Sequence, residues 1–156
     1  RRIDGVRYFR HPGYNATSQA LFKDVAILQL SSDAGLPTVP LMVSSAVKPG
    51  DTIKIFGFGL DENGNAGVLR SGEMRVNDVT TDHLISSFDG DGSNHCAGDS
   101  GGPAIFAGKN GSGIVGIISS GFLKECGVGD TSLFANTQSA EYLNFIKETV
   151  PAANLL

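Results

Sequence analysis

Apolar residues in this chain fall in many short runs broken by Gly, Asn, Asp and Ser, and few runs carry a helical period. Such punctuation points to an all-β protein. The run Asp24-Val25-Ala26-Ile27-Leu28-Gln29-Leu30 ends in period-two alternation, as a strand with one buried face does. The pattern predicts strands over 5–11, 24–30, 52–58, 68–76, 83–88, 103–107, 113–120 and 131–136. Between them, 31–50 reads as a connector broken by Pro37, Pro40 and Pro49-Gly50, and 61–67 as a polar turn. The period then changes. Tyr142, Leu143, Phe145, Ile146 and Val150 share one helical face over 139–149, with Ser139 placed to cap its start. No internal repeat is present.

Composition narrows the classes of function. With 156 residues, 40% of them hydrophobic, the chain is long enough for a sizeable core. The net charge of −4 argues against a nucleic-acid partner, which usually requires a basic face. Arg1, Arg2, Arg7 and Arg10 read as the solvated edge of a first strand. No apolar run reaches the roughly 18 residues of a membrane span. The three histidines are scattered and there is no C-x-x-C, so neither a zinc site nor a cysteine nucleophile is indicated. Two acidic runs, 61–65 and 89–93, lack the glutamate of a calcium loop and read as turns. Asn15-Ala16-Thr17 and Asn110-Gly111-Ser112 match the N-glycosylation pattern. Cys96 and Cys126 allow one pairing, and the residues alone leave a bridge and two buried thiols equally open.

The most informative stretch is 96–103, Cys-Ala-Gly-Asp-Ser-Gly-Gly-Pro. It sets Ser100 among glycines in a tight turn. Gly98 and Ser100 can aim backbone N–H groups at one point, as stabilisation of an oxyanion requires. A glycine-rich turn that merely contains a serine would not need the whole octet.

This octet resembles the nucleophile loop of the chymotrypsin/trypsin-like serine peptidases. Three further segments resemble that family in the right order. Lys23-Asp24-Val25-Ala26-Ile27-Leu28 is similar to the stretch carrying its catalytic aspartate. Gly57-Phe58-Gly59 is similar to its Gly-Trp-Gly, with phenylalanine for tryptophan. Ile114 to Gly121 is similar to the strand lining its substrate groove, with Ser120 where tryptophan is common. The resemblance implies a double Greek-key β-barrel fold: the remainder of a first barrel and connector over 1–48, a second barrel over 49–138, and a terminal helix and tail over 139–156. It implies a serine endopeptidase acting through an acyl-enzyme, with no metal or cofactor and a protein or peptide as substrate. Ser100 would be the nucleophile, Asp24 the carboxylate orienting a histidine, and Ser119 a hydrogen-bond donor to that carboxylate. Taken alone, Asp24 reads equally as a strand-entry acid. The resemblance also favours a Cys96–Cys126 disulfide, hence an oxidising, extracytoplasmic compartment. It pairs Asp99 with an α-amino group freed by activation, where the residues alone suggest an acid satisfied by nearby backbone N–H groups.

Substrate preference is less defined. In the family the position of Asn94 floors the primary specificity pocket, and an amide there supplies no fixed charge for Lys or Arg. His95 would border this pocket, Gly121 leave its mouth open, and Ser132 or Thr131 stand on the opposite wall. Asp78, Asp82, Asp89, Asp91 and Asp99 lie in a stretch, 76–108, without Lys or Arg, and read as solvated loop acids.

The family order is histidine, aspartate, serine. Only 23 residues precede Asp24, and none forms the expected histidine segment. His11 sits in a non-catalytic surface stretch, His83 in a polar turn, and His95 directly before Cys96. The Ile-Val-Gly-Gly-like start is also absent, so Arg1 is not expected to meet Asp99. A whole enzyme of this type runs to about 200–250 residues. The expectation is therefore a fragment, or one chain of a cleaved enzyme, inactive until another segment supplies the base. The alternative is a non-catalytic homologue that uses its groove to bind proteins.

Overall fold

A computed structural model describes residues 2–123 and 125–156; the expectations for Arg1 lie outside them. The alternating stretches form strands β1 (Gly5–Arg10), β4 (Ala26–Leu30), β5 (Thr52–Gly57), β6 (Arg70–Arg75), β8 (His83–Ser87), β9 (Pro103–Gly108), β10 (Gly111–Gly121) and β11 (Thr131–Asn136). Three two-residue strands escaped the sequence pattern: β2 (Asn15–Ala16), β3 (Leu21–Phe22) and β7 (Asp78–Val79). Two residues are too few to show a period. The chain ends in helix α1 (Ala140–Thr149).

Seven strands form one antiparallel sheet in the order β6-β5-β9-β10-β11-β8-β7. Its ends meet. Ser86 Oγ on β8 donates to the Arg75 carbonyl on β6 (2.8 Å), and Ser87 N–H donates to Asn77 Oδ1 (2.7 Å). The sheet thus curls into a half-barrel, with β6 and β8 brought together. Its interior is filled by Ile53, Ile55, Met74, Val76, Leu84, Ala104, Val115, Ile118 and Phe134, with Met42 and Val47 from the connector. Each large apolar side chain so buried contributes about 1.5–3 kcal/mol.

The connector is held without regular structure beyond two isolated bridges from Leu41, to Ile114 and to Leu155. Gln138 Oε1 accepts from Val47 N–H (2.9 Å), while its Nε2 donates to the carbonyls of Met42 (2.9 Å) and Ser45 (2.8 Å).

The first strands behave differently. β1 and β4 form a separate two-stranded ribbon with Tyr8 opposite Leu28. Both are largely exposed, at 74% and 60%, as are Val6 and Leu30. The alternation seen in 24–30 is real, but its apolar face is uncovered here.

Ser139 is the N-cap of α1, as expected, although its side chain makes no capping hydrogen bond; its carbonyl accepts from Leu143 N–H (3.0 Å) and its N–H donates to the Asn136 carbonyl (3.2 Å). Val150 lies past the last turn and is partly exposed, so the buried face is built on Tyr142, with Phe145 packed beside it against Val25 and Ala135.

Cys96 and Cys126 are bridged, closing a loop of 30 residues between β8 and β11. The double substitution Cys96→Ala/Cys126→Ala should lower unfolding stability by about 3–4 kcal/mol, measured by urea denaturation. A loss below about 1 kcal/mol would show that the loop is already constrained when unfolded.

Candidate active site

Ser100 sits in a loop tied to the barrel on its C-terminal side. Gly101 N–H donates to the Ile118 carbonyl and Ile118 N–H to the Gly102 carbonyl, both at 2.9 Å. Asp99 N–H and Gly102 N–H close turns within the loop, onto the carbonyls of Cys96 and Asp99. Among the described residues, the exposed N–H groups of Gly98 and Ser100 have no such acceptor. Two backbone donors beside the Ser100 side chain are thus left without an internal acceptor. Gly98 takes φ +98°, and a Cβ there would come within 3.0 Å of the Gly59 Cα, so both its conformation and its surroundings select glycine.

The side chain of Asp99 turns away from Ser100 toward Gly57-Phe58-Gly59. Its Oδ1 accepts from Gly59 N–H (2.8 Å) and its Oδ2 from Cys96 N–H (2.9 Å). A Cβ on Gly57 or Gly59 would overlap this carboxylate, which accounts for both glycines. Asp99 and Asn94 line a cavity of about 660 Å³ together with Arg70, Gly72 and the disulfide.

Asp24 lies just before β4. Its Oδ2 accepts from Ser119 Oγ on β10 at 2.7 Å, joining the N-terminal ribbon to the barrel. Asp24 and Ser100 border one cavity of about 470 Å³, whose other walls include Ile27, Leu41, Ile117 and Ile146. The structure therefore brings the two expected catalytic residues to a shared, largely apolar space.

None of the three histidines lines that cavity. His11 is buried against Tyr142 and Phe145, and its Nδ1 accepts from Gly13 N–H (3.0 Å). His83, expected in a polar turn, instead opens β8, buried, with Nε2 2.7 Å from the Leu21 carbonyl. His95 is buried edge-on to Phe134. Burial holds the His95 pKa below the ordinary histidine value, despite the Ser120 backbone and the charges of Asp130 and Asp99.

The expected specificity residues converge on one that sequence reasoning missed, Asp130. Its Oδ1 accepts from Phe122 N–H and Leu123 N–H (both 2.8 Å), and its Oδ2 from Asn94 Nδ2 (2.9 Å). Asn94 also donates to the Cys126 carbonyl (3.1 Å) and accepts from Ser132 Oγ (2.7 Å). Ser132, not Thr131, is the residue turned to Asn94; Thr131 faces Ser87. Gly121 does not open onto empty space. A Cβ there would lie 2.9 Å from Asp130 Oδ2 and 3.4 Å from the His95 ring. The only sequence signal for Asp130 was an acid between glycine-rich residues and the apolar strand β11.

Of the acids of 76–108, Asp82 binds Lys23, Asp78 at the start of β7 accepts from Val79 N–H, and Asp89 accepts from Asp91 N–H; Asp78, Asp89 and Asp91 are exposed. No cluster of metal-ligating side chains occurs among the described residues.

A family model described as Trypsin matches residues 1–146. The chain belongs to the trypsin family. Its curled antiparallel sheet and single C-terminal helix fit the trypsin-like fold. The peptidases of this family act on proteins or peptides and are typically extracellular, and the disulfide fits such a setting.

Burial alone would raise the Asp130 pKa. Hydrogen bonds from Leu123, the Asn94 amide, Phe122 and Thr131 outweigh this and bring it below the ordinary value. A depressed folded pKa stabilises above the unfolded value of about 3.9 and is lost as pH falls through the folded one. Asp130→Ala, leaving the Phe122 and Leu123 N–H groups and the Asn94 amide without this acceptor, should cost about 2–4 kcal/mol at pH 7. The cost should shrink below pH 4, in urea melts across pH. A pH-independent cost would assign the effect to packing.

Proposed function

We propose that this chain carries the nucleophile and the orienting carboxylate of a serine endopeptidase whose histidine lies on polypeptide outside these 156 residues. The observation that carries the reading is the cavity shared by Asp24 and Ser100, which no histidine of the chain reaches. An imidazole entering there would meet the Asp24 carboxylate on one side and the Ser100 hydroxyl on the other.

A further feature supports an additional segment. Apolar side chains of the β1–β4 ribbon, Val6, Tyr8, Leu28 and Leu30, are uncovered. They fit a surface completed by more chain, whether the preceding part of the same polypeptide or a separate one.

In this reading the histidine takes the Ser100 proton as Oγ attacks the scissile carbonyl. The oxyanion is held by Gly98 and Ser100 N–H, and the proton passes to the leaving amine. Water then hydrolyses the acyl-enzyme by the same route. Asp24, supported by Ser119, holds the imidazole in the productive tautomer and stabilises its charged form. Asp99 accepts from Gly59 and Cys96 N–H, as an acid satisfied by nearby backbone would; in this reading it is also assigned as the receiver of a freed α-amino group, beside the larger cavity. The disulfide supports a secreted or periplasmic setting.

A fluorophosphonate probe tests the assignment on the activated full-length product. Ser100 should become covalently labelled, Ser100→Ala should abolish labelling, and Asp24→Asn should slow it by about 10³–10⁴-fold. An unlabelled wild type would support the non-catalytic binding homologue instead. Labelling of the 156-residue chain alone at the full-length rate would overturn the external base.

A further inference from the structure

The residue before Asp24 is held more tightly than any strand requires. Lys23 takes φ +52°, in the left-handed region that side chains other than Asn, Asp and Gly rarely enter. Val25 N–H turns back onto the Lys23 carbonyl (2.9 Å), so Asp24 is the middle residue of a three-residue turn. Conformations of this kind persist only where the surroundings over-determine them.

Those surroundings come from two distant parts of the chain, the segment before β8 and the first turn of α1. Lys23 Nζ lies 2.7 Å from Asp82 Oδ1, just ahead of β8, and 2.6 Å from Glu141 Oε2 in the first turn of α1. It also stands 5.3 Å from the centre of the Tyr142 ring. Lys23 N–H donates to the Tyr142 hydroxyl (2.9 Å), which itself donates to Asp82 Oδ1 (3.4 Å). The lysine side chain is only 15% exposed. Both its ends are therefore fixed: the ammonium by two carboxylates and a ring face, the backbone by a buried phenol. Immediately after it comes the carboxylate that accepts from Ser119.

We propose that Lys23 is a positioning residue for Asp24. The clamp of Asp82, Glu141 and Tyr142 holds Lys23 in its left-handed conformation, closes the turn around Asp24 and so aims the Asp24 carboxylate at Ser119 and the cavity of Ser100. This rests on the enzymatic reading above. If Lys23 only stabilised the fold, a folded variant would keep full catalytic rate. If it positions Asp24, catalysis falls in a protein that still folds and still binds substrate.

The test uses the activated full-length protein, with labelling rate at Ser100, kcat and KM for one peptide substrate, and a thermal melt. Lys23→Met keeps the stem and removes the ammonium. It should lower kcat and the labelling rate by about 10–100-fold, the cost of a misplaced catalytic group, while KM changes less than about 3-fold. Lys23→Arg, whose guanidinium can reach both carboxylates, should recover most of the rate. If Lys23→Met does not fold, Tyr142→Phe removes only the hydroxyl that accepts from Lys23 N–H and should lower kcat in the same direction. Wild-type kcat in either folded variant, or a change confined to KM, overturns the positioning role while leaving the enzyme intact. An unlabelled wild type overturns the enzymatic reading itself, and this role with it.

Discussion

Two hydrogen bonds between Ile118 and the glycines after Ser100 hold the candidate site together. Gly101 gives its N–H to Ile118, and Ile118 gives its own to Gly102. One residue further along β10, Ser119 reaches Asp24. The serine loop and the carboxylate are thus both referenced to the same short piece of one strand. That strand pairs with β9 on one side and β11 on the other, in the middle of the curled sheet. A site built on such a strand inherits the rigidity of the barrel, although Ser100 itself is on a loop.

The same strand relates the site to its neighbourhood. Gly121, at its end, pairs with Ser132 on β11, which bonds to Asn94, and Asn94 bonds to Asp130. The register of β10 against β11 therefore also fixes the residues beside the serine loop. Asp130 organises them from within: it gathers two backbone N–H groups of the segment after Gly121 and one amide from the segment before the disulfide. A buried carboxylate with this many donors stays charged and locks the loops it joins.

How much of this was legible in the sequence depended on range. The long strands were visible because alternation reports burial on one face of a local segment. The Ser100 loop was visible because its tight turns draw on a contiguous set of glycines, Gly98, Gly101 and Gly102. His83 was misplaced because its burial comes from the distant Leu21 carbonyl and Phe22 ring, which no local pattern records. Asp130 and the left-handed Lys23 were missed for a related reason: the partners of Lys23 lie near residues 82 and 141, and an acid or lysine beside a strand ordinarily means solvent. Ser139 shows the converse: a good local capping signal that gained no side-chain partner once the helix docked.

The Lys23 clamp also bears on when the site can form during synthesis. The contact from Lys23 N–H to the Tyr142 hydroxyl spans 119 residues, and that from Ser119 to Asp24 spans 95. Contacts over such separations pay their loop-closure entropy late, after local pairing in the barrel has begun. Tyr142 lies on α1, the last element to leave the ribosome among those described. Asp24 is made early but acquires its fixed orientation only when that helix docks. The nascent chain therefore carries the serine loop before it carries an aligned Asp24 carboxylate, and the order of translation itself delays assembly of the candidate site.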